Sequence, residues 1–124
     1  MFLADNEYCD WWTSSKGDYE RSVNYVSRTG EIIGRSNNSN DNKICVRPTL
    51  KLDKLKILNS VNINIGDKLD FGGQLFTIIS DEYALCDVAI TAMAFNLDCY
   101  LDNANVYENS QVKQYLDNWL IDNL

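Results

Sequence analysis

The strongest constraint on the fold is an apolar pattern with the period of one helical face, found at positions 112–120. Apolar residues recur there at i, i+3, i+4, i+7 and i+8, and polar residues fill the opposite side. Asn109 or Ser110 can accept hydrogen bonds from the free N–H groups at the start of such a helix. We expect the helix to dock on a sheet, with Trp119 in a structural role. The apolar face comprises Val112, Tyr115, Leu116, Trp119 and Leu120.

Short strands and tight turns dominate the sequence before this helix. Residues 22–27 alternate apolar and polar side chains, and residues 31–34 follow the turn signal Thr29-Gly30, which together predict a hairpin. Gly72-Gly73 predicts a second hairpin turn. The β-branched segment that follows it, residues 74–79, is typical of a central strand.

Further strands are predicted at residues 11–15, 44–47 and 83–90, and Pro48 should end the second of these. The segment from Thr91 to Phe95 is compatible with either a continued strand or a helical turn. The fold class that follows is α+β, with antiparallel hairpins packed against a C-terminal amphipathic helix. A chain of 124 residues suits a single domain covering 1–124.

The chain is acidic, with a formal net charge of −7 and scattered Lys and Arg residues. Such a surface repels phosphate backbones, so we expect no direct nucleic-acid binding. It suits a basic protein partner, although the charge also serves to keep a domain in solution. No segment has the length of apolar sequence that spans a bilayer, and the first residues lack the features of a signal peptide. We therefore expect a cytoplasmic protein without membrane contact.

Several kinds of chemistry are disfavoured by residue content. Histidine is absent, which excludes Ser–His and Cys–His pairs. The four cysteines have no C-x-x-C spacing, so we expect no metal site and mostly buried, reduced thiols: Cys9, Cys45, Cys86 and Cys99. A hydrolase using paired carboxylates ranks last, because no spacing singles out two acids. We assign no catalytic residue and no cofactor.

Two regions stand out as possible partner-binding sites. Trp11-Trp12 lies in a strand, where adjacent side chains face opposite sides. Either one indole is exposed, or both are covered, one of them by the C-terminal helix; we favour the second. Asp117 and Asp122 lie on the polar side of that helix. The Asn-rich loop 36–42 lacks the order of a calcium-binding loop and is expected to be solvated.

Short motifs in two blocks resemble a known family. Residues 1–50 contain Trp11-Trp12-Thr13-Ser14-Ser15, Tyr25-Val26, Thr29-Gly30 and Cys45-Val46-Arg47-Pro48-Thr49-Leu50. Residues 65–124 contain Gly66-Asp67, Phe71-Gly72, Leu75-Phe76, Tyr107, Ser110 and Trp119-Leu120. The first block resembles the end, and the second block the beginning, of domain-of-unknown-function family 6273 of bacteria and phages. The chain thus resembles a circularly permuted member of that family.

The resemblance implies a C-type-lectin-like scaffold and a structural role for Arg47, which stands in the family's strand motif. Ser14 and Cys45 depart from the motifs, since relatives carry Arg and Gly there. Residues 51–64 would connect the two blocks. A permuted chain of this kind could be a monomer, or a swapped homodimer if the connector is too short.

These observations favour a non-enzymatic protein-binding module. The version suggested by acidity and by the family's phage associations is an inhibitor of a host nucleic-acid-handling defence protein, such as a CRISPR effector. The alternative is a lectin-like module that binds a small ligand or carbohydrate through an exposed Trp and the Asn-rich loop.

Overall fold

The computed structural model describes residues 9–35, 38–52, 64–98 and 103–124. Within these ranges the chain forms two β-sheets and one α-helix, which bears out the α+β class. In chain order the strands are β1 (Trp11–Lys16), β2 (Val23–Val26), β3 (Ile32–Ile33), β4 (Cys45–Val46), β5 (Thr49–Lys51), β6 (Lys68–Phe71), β7 (Gln74–Ile78), β8 (Tyr83–Cys86) and β9 (Thr91–Ala92).

Each sheet combines strands from both sequence blocks. The first sheet has the order β3-β2-β1-β4-β9, and the second has the order β5-β8-β7-β6. β9 therefore completes a sheet built mainly from residues before 50, and β5 completes a sheet built from residues after 64. The first sheet carries the β1–β2–β3 meander and the second carries the β6–β7–β8 meander.

The helix α1 (Gln111–Asp122) follows a short 3₁₀ helix (Tyr107–Asn109). Ser110 is its N-cap, and the Ser110 hydroxyl accepts a 2.9 Å hydrogen bond from the backbone N–H of Lys113. Of the two caps that the sequence allowed, the structure selects Ser110. None of the helices in the described ranges is long and apolar enough to cross a membrane.

The described residues form three hydrophobic clusters, and α1 joins the two larger ones. The first lies against the first sheet and contains Trp12, Val23, Ile44, Val46, Phe95 and Val112, with Leu116 packed on it. The second lies on the inner face of the second sheet and contains Phe76, Ile78, Ala84 and Cys86, with Trp119 packed on it. Because one face of α1 contacts both clusters, the predicted docking of the helix on a sheet is confirmed, although Leu120 is left 39% exposed.

The turn between β6 and β7 is a two-residue hairpin turn, as the sequence predicted. Phe71 pairs with Gln74, and both intervening residues, Gly72 and Gly73, have positive φ angles of 62° and 76°. This conformation matches the twist of the flanking strands and is open to glycine at little steric cost. The turn also fixes the register of the hairpin, so that Lys68 lies opposite Thr77.

Three features of the sheets differ from the sequence-based prediction. β4 pairs with β1 in parallel, through Trp11 and Cys45, so the strands are not all antiparallel. The chain resumes a strand, β5, directly after Pro48, because residues 49–51 pair with β8. The predicted strand 83–90 ends at Cys86, and a separate two-residue strand, β9, pairs with β4. The predicted connector 51–64 lies mostly outside the described residues.

Candidate functional site

Trp12 is a core residue rather than a contact residue, which corrects its assignment as a partner-binding candidate. Its side chain is 5% exposed and makes edge-on contacts with Tyr25 and Phe95. The indole N–H donates a 2.8 Å hydrogen bond to the carbonyl of Met93. With its polar group satisfied and its ring covered, Trp12 offers almost no surface to a partner.

Trp11 points to the other side of β1 and is half-buried, as the alternation along a strand requires. It packs beside the buried pair Cys45 and Ala89. The guanidinium of Arg47 lies over the indole ring, 5.1 Å from its centroid. Both tryptophans are thus covered to different degrees, in line with the prediction that neither is a free platform.

Arg47 is held by its surroundings from two directions. Its Nε donates a 2.6 Å hydrogen bond to the carbonyl of Cys86 in β8, and its guanidinium stacks on Trp11 in β1. Because β1 and β8 belong to different sheets, Arg47 ties the sheets together at their junction. Both contacts are made within the fold.

A groove opens at this junction, between β1, the segment of β4 and β5, and the start of α1. Its volume is about 380 Å³. It is bordered by aromatic and aliphatic side chains, four hydroxyl groups and the guanidinium of Arg47. The lining consists of Trp11, Trp12, Thr13, Ser14, Val46, Arg47, Thr49, Tyr107, Val112 and Leu116. We call this the Arg47 groove.

The acidic candidates lie elsewhere, on the outward side of α1. Asp117 is exposed and accepts a 2.6 Å hydrogen bond from the ammonium of Lys113, one turn earlier. This hydrogen bond raises the pKa of Lys113. Asp122, the last residue of the helix, is also exposed. The structure therefore does not bring Trp11 and Trp12 together with Asp117 and Asp122 into one site.

The Asn-rich loop is partly built into the fold, which corrects the expectation of a solvated loop. Asn38 and Ser39 are buried, whereas residues 40–42 are exposed. The Asn38 side chain accepts a hydrogen bond of 2.9 Å from the backbone N–H of Val23 and donates one of 3.1 Å to its carbonyl. Asn38 thus acts as a substitute strand partner for β2 and is not available to a ligand.

The described cysteines are free thiols in apolar surroundings. Burial, reinforced by a hydrogen bond with Cys9, raises the pKa of Cys45 to about 12. Burial also raises the pKa of Cys86. Thiols with raised pKa values are poor nucleophiles at neutral pH. Cys99 lies outside the described residues, and the described ranges contain no group of three or more Cys, Asp or Glu residues that could hold a metal ion.

A polar network on the outward face of the second sheet was not predicted from the sequence. The ammonium of Lys68 donates 2.6 Å hydrogen bonds to the hydroxyl of Thr77 and to the carboxylate of Asp87. The Thr77 hydroxyl donates in turn to Asp87 at 2.5 Å. These hydrogen bonds lower the pKa of Asp87. The pairing of Lys68 with Thr77 could have been predicted from the register set by Gly72-Gly73.

Comparisons with protein-family models, with curated proteins and with solved structures find no match to this chain. The resemblance to family 6273 and its permuted order therefore stay predictions.

Proposed function

We propose that the chain is a non-enzymatic protein-binding module that contacts a basic partner through the outward side of α1. We call this surface the outer face of α1, and all of its side chains are exposed. They lie opposite the residues that pack on the core, Val112, Leu116 and Trp119. The outer face consists of Gln114, Asp117, Asn118, Ile121 and Asp122.

The observation that carries the proposal is the position of Asp122 at the C-terminal end of the helix. A helix C-terminus bears partial negative charge, so a carboxylate there is destabilising and a basic residue is favoured. The last turn contains no basic residue, and the first turn contains no acidic one. Asp122 is thus placed against the stability of the helix, which is typical of residues that serve binding.

An apolar side chain lies among these charges. Ile121 is 66% exposed, and in a helix it neighbours Asp117 one turn earlier. An apolar centre with a polar rim is the usual composition of a protein interface. The outer face of α1 therefore combines a contact residue with carboxylates that select a partner by charge.

The partner that fits this surface is a basic nucleic-acid-binding protein. With a net charge of −7, the chain is attracted to grooves that are built for phosphates. We propose specifically that the carboxylates of α1 occupy such a groove and exclude nucleic acid. An inhibitor encoded by a phage or mobile element and directed at a CRISPR effector would act in this way.

The test uses two charge-reversed variants with the same change in net charge. One carries Asp117→Lys and Asp122→Lys, and the control carries Glu20→Lys and Glu31→Lys, two exposed acids outside α1. Binding to a panel of CRISPR effectors is measured by biolayer interferometry at low and high salt, with guide RNA as competitor. We expect salt-sensitive binding that competes with RNA and is lost only in the α1 variant. Equal loss in both variants, or no salt dependence, would count against recognition by α1.

The lectin-like alternative ranks second and depends on Trp11. That indole is half-buried rather than exposed, one side of its ring faces Arg47, and Asn38 is used within the fold. A glycan array separates the alternatives, because the protein-binding proposal expects no glycan signal above that of a Trp11→Ala variant. Sedimentation separates a monomer from a swapped homodimer in the same preparation.

A further inference from the structure

The Arg47 groove has an unusual charge for this chain. Its lining residues include one ionisable side chain of definite charge at neutral pH, the guanidinium of Arg47, and no carboxylate. The chain as a whole has a net charge of −7. A cavity that presents a cation in an acidic protein is suited to an anion.

The guanidinium is oriented before any ligand arrives. The hydrogen bond from Nε to the carbonyl of Cys86 fixes one edge of the group, and its Cζ lies over the Trp11 ring. The four N–H groups on the terminal nitrogens lie outside this hydrogen bond. They form the planar fork that binds a carboxylate through two parallel hydrogen bonds.

Asp87, an acid whose pKa Arg47 helps to lower, is already matched to another cation. The carboxylate of Asp87 forms an ion pair with Lys68, in which Oδ2 of Asp87 lies 2.6 Å from Nζ of Lys68. Hydrogen bonds with Lys68 and Thr77 are the main causes of the lowered pKa of Asp87. The charge of Arg47 makes the smallest contribution. Arg47 therefore does not serve chiefly as the partner of Asp87.

The remaining lining is suited to an apolar body. Tyr107, Val112 and Leu116 come from the 3₁₀ helix and α1, and they pack with Trp12 and Val46 of the first sheet. A volume of about 380 Å³ falls in the range of small-molecule sites. The groove is too small for a folded partner, and its walls are mostly aromatic and aliphatic.

We propose that the Arg47 groove binds a small organic carboxylate whose apolar or aromatic body packs against Tyr107 and Leu116 and whose carboxylate pairs with Arg47. This site is distinct from the outer face of α1, because the groove contacts the opposite side of the helix. A ligand there would bridge both sheets and α1, and it would stabilise the junction that Arg47 holds.

The probe is naphthalene-2-acetate, and its uncharged analogue naphthalene-2-acetamide is the matched control. Dissociation constants are measured by isothermal titration calorimetry. We expect the acid to bind at least about tenfold more tightly than the amide, since a hydrogen-bonded ion pair is worth a factor of this size. In Arg47→Gln the acid and the amide should bind equally.

A blocking variant keeps the test valid if Arg47→Gln does not fold. Thr49 is exposed and borders the groove, so Thr49→Trp should fill it without removing a core contact. Lys51→Trp is the control, because Lys51 lies two residues along the same strand, is exposed, and does not line the groove. We expect Thr49→Trp to weaken binding of the acid at least about tenfold and Lys51→Trp to leave it unchanged.

Two further probe ligands distinguish a small carboxylate from other anions of similar chemistry. Naphthyl phosphate tests whether the groove prefers phosphate, and a dipeptide with a C-terminal Phe tests whether it recognises a peptide end. Tighter binding of either one than of naphthalene-2-acetate would overturn the assignment to a small carboxylate. Equal binding of acid and amide, unchanged binding in Thr49→Trp, or no binding of the acid would overturn the site itself.

Discussion

The ring of Trp119 lies directly against the backbone of Gly72. A Cβ atom added at Gly72 would come within 2.9 Å of Cζ2 of Trp119, and Gly72 also has a positive φ of 62°. The hairpin turn of the second sheet and the last turns of α1 thus meet at a position where a side chain cannot be placed. This contact is one of those through which α1 docks on the second sheet.

We predict that Gly72→Ala destabilises the fold more than Gly73→Ala does. Both glycines have positive φ, so each alanine costs about 1–2 kcal/mol in backbone strain. A Cβ at Gly73 meets open space, whereas at Gly72 it meets Trp119. The difference in free energy of unfolding, measured by urea denaturation, should be about 1 kcal/mol or more. Equal effects would mean that Trp119 does not pack tightly on the turn.

Truncation of Trp119 should be among the most destabilising changes in α1. Its ring contacts Phe71 edge-on at 5.6 Å and lies 6.3 Å from Phe76, between centroids. Trp119→Ala should lower the free energy of unfolding by about 3–5 kcal/mol. Leu120→Ala, at the neighbouring and more exposed position, should cost about 1 kcal/mol or less. A loss below about 1 kcal/mol for Trp119→Ala would show that the helix does not depend on this face.

Asn38 should stabilise β2 through its two hydrogen bonds to Val23. Asn38→Ala leaves a buried N–H and a buried carbonyl without these partners. We expect a loss of about 2–4 kcal/mol in the free energy of unfolding. Asn40→Ala, in the exposed part of the same loop, is the control and should change it by about 0.5 kcal/mol or less. Similar values for the two variants would contradict the strand-partner role.

Asp87 should make part of the stability depend on pH. Its hydrogen bonds with Lys68 and Thr77 lower its pKa below the ordinary value of 3.8, so folding favours the ionised form. This contribution is present above the ordinary pKa and is lost as pH falls through the folded pKa. Because Lys68 is half-exposed and the ion pair is screened, it amounts to about 1 kcal/mol at most.

The check is urea denaturation of wild type and Asp87→Asn between pH 7 and pH 2. The two proteins should differ near neutral pH and converge in acid. Asp70→Asn, at an exposed position on the same face of the sheet, should not remove this pH dependence. A constant difference between wild type and Asp87→Asn at all pH values would contradict the assignment.

Elements with strong local patterns could be predicted from the sequence. The helix was recognised because Val112, Leu116 and Trp119 share one face, and the β6–β7 hairpin because Gly72-Gly73 specifies its turn. The short strands β4 and β9 could not be predicted in the same way. Each contains two residues, and their pairing with partners distant in the sequence decides whether they form.

The candidate sites likewise divide into those that a local sequence pattern predicts and those that it does not. The helical period predicts the polar side of α1, so the exposed positions of Asp117 and Asp122 could be predicted from the sequence. The Arg47 groove needs Trp11, Arg47 and Tyr107 from three separate elements, and no local pattern relates them. The hydrogen bonds of Asn38 with the backbone of Val23 could not be predicted, because no sequence pattern distinguishes such a side chain from other polar residues of a loop.

We propose that Asp122 serves binding at the expense of helix stability. The most direct test is Asp122→Lys, with unfolding and binding measured on the same preparation. We predict a gain of about 0.3–1 kcal/mol in the free energy of unfolding, because a cation suits the helix C-terminus. We also predict at least about fivefold weaker binding to the effector selected by the salt-dependent screen. A loss of stability together with unchanged binding would contradict the account.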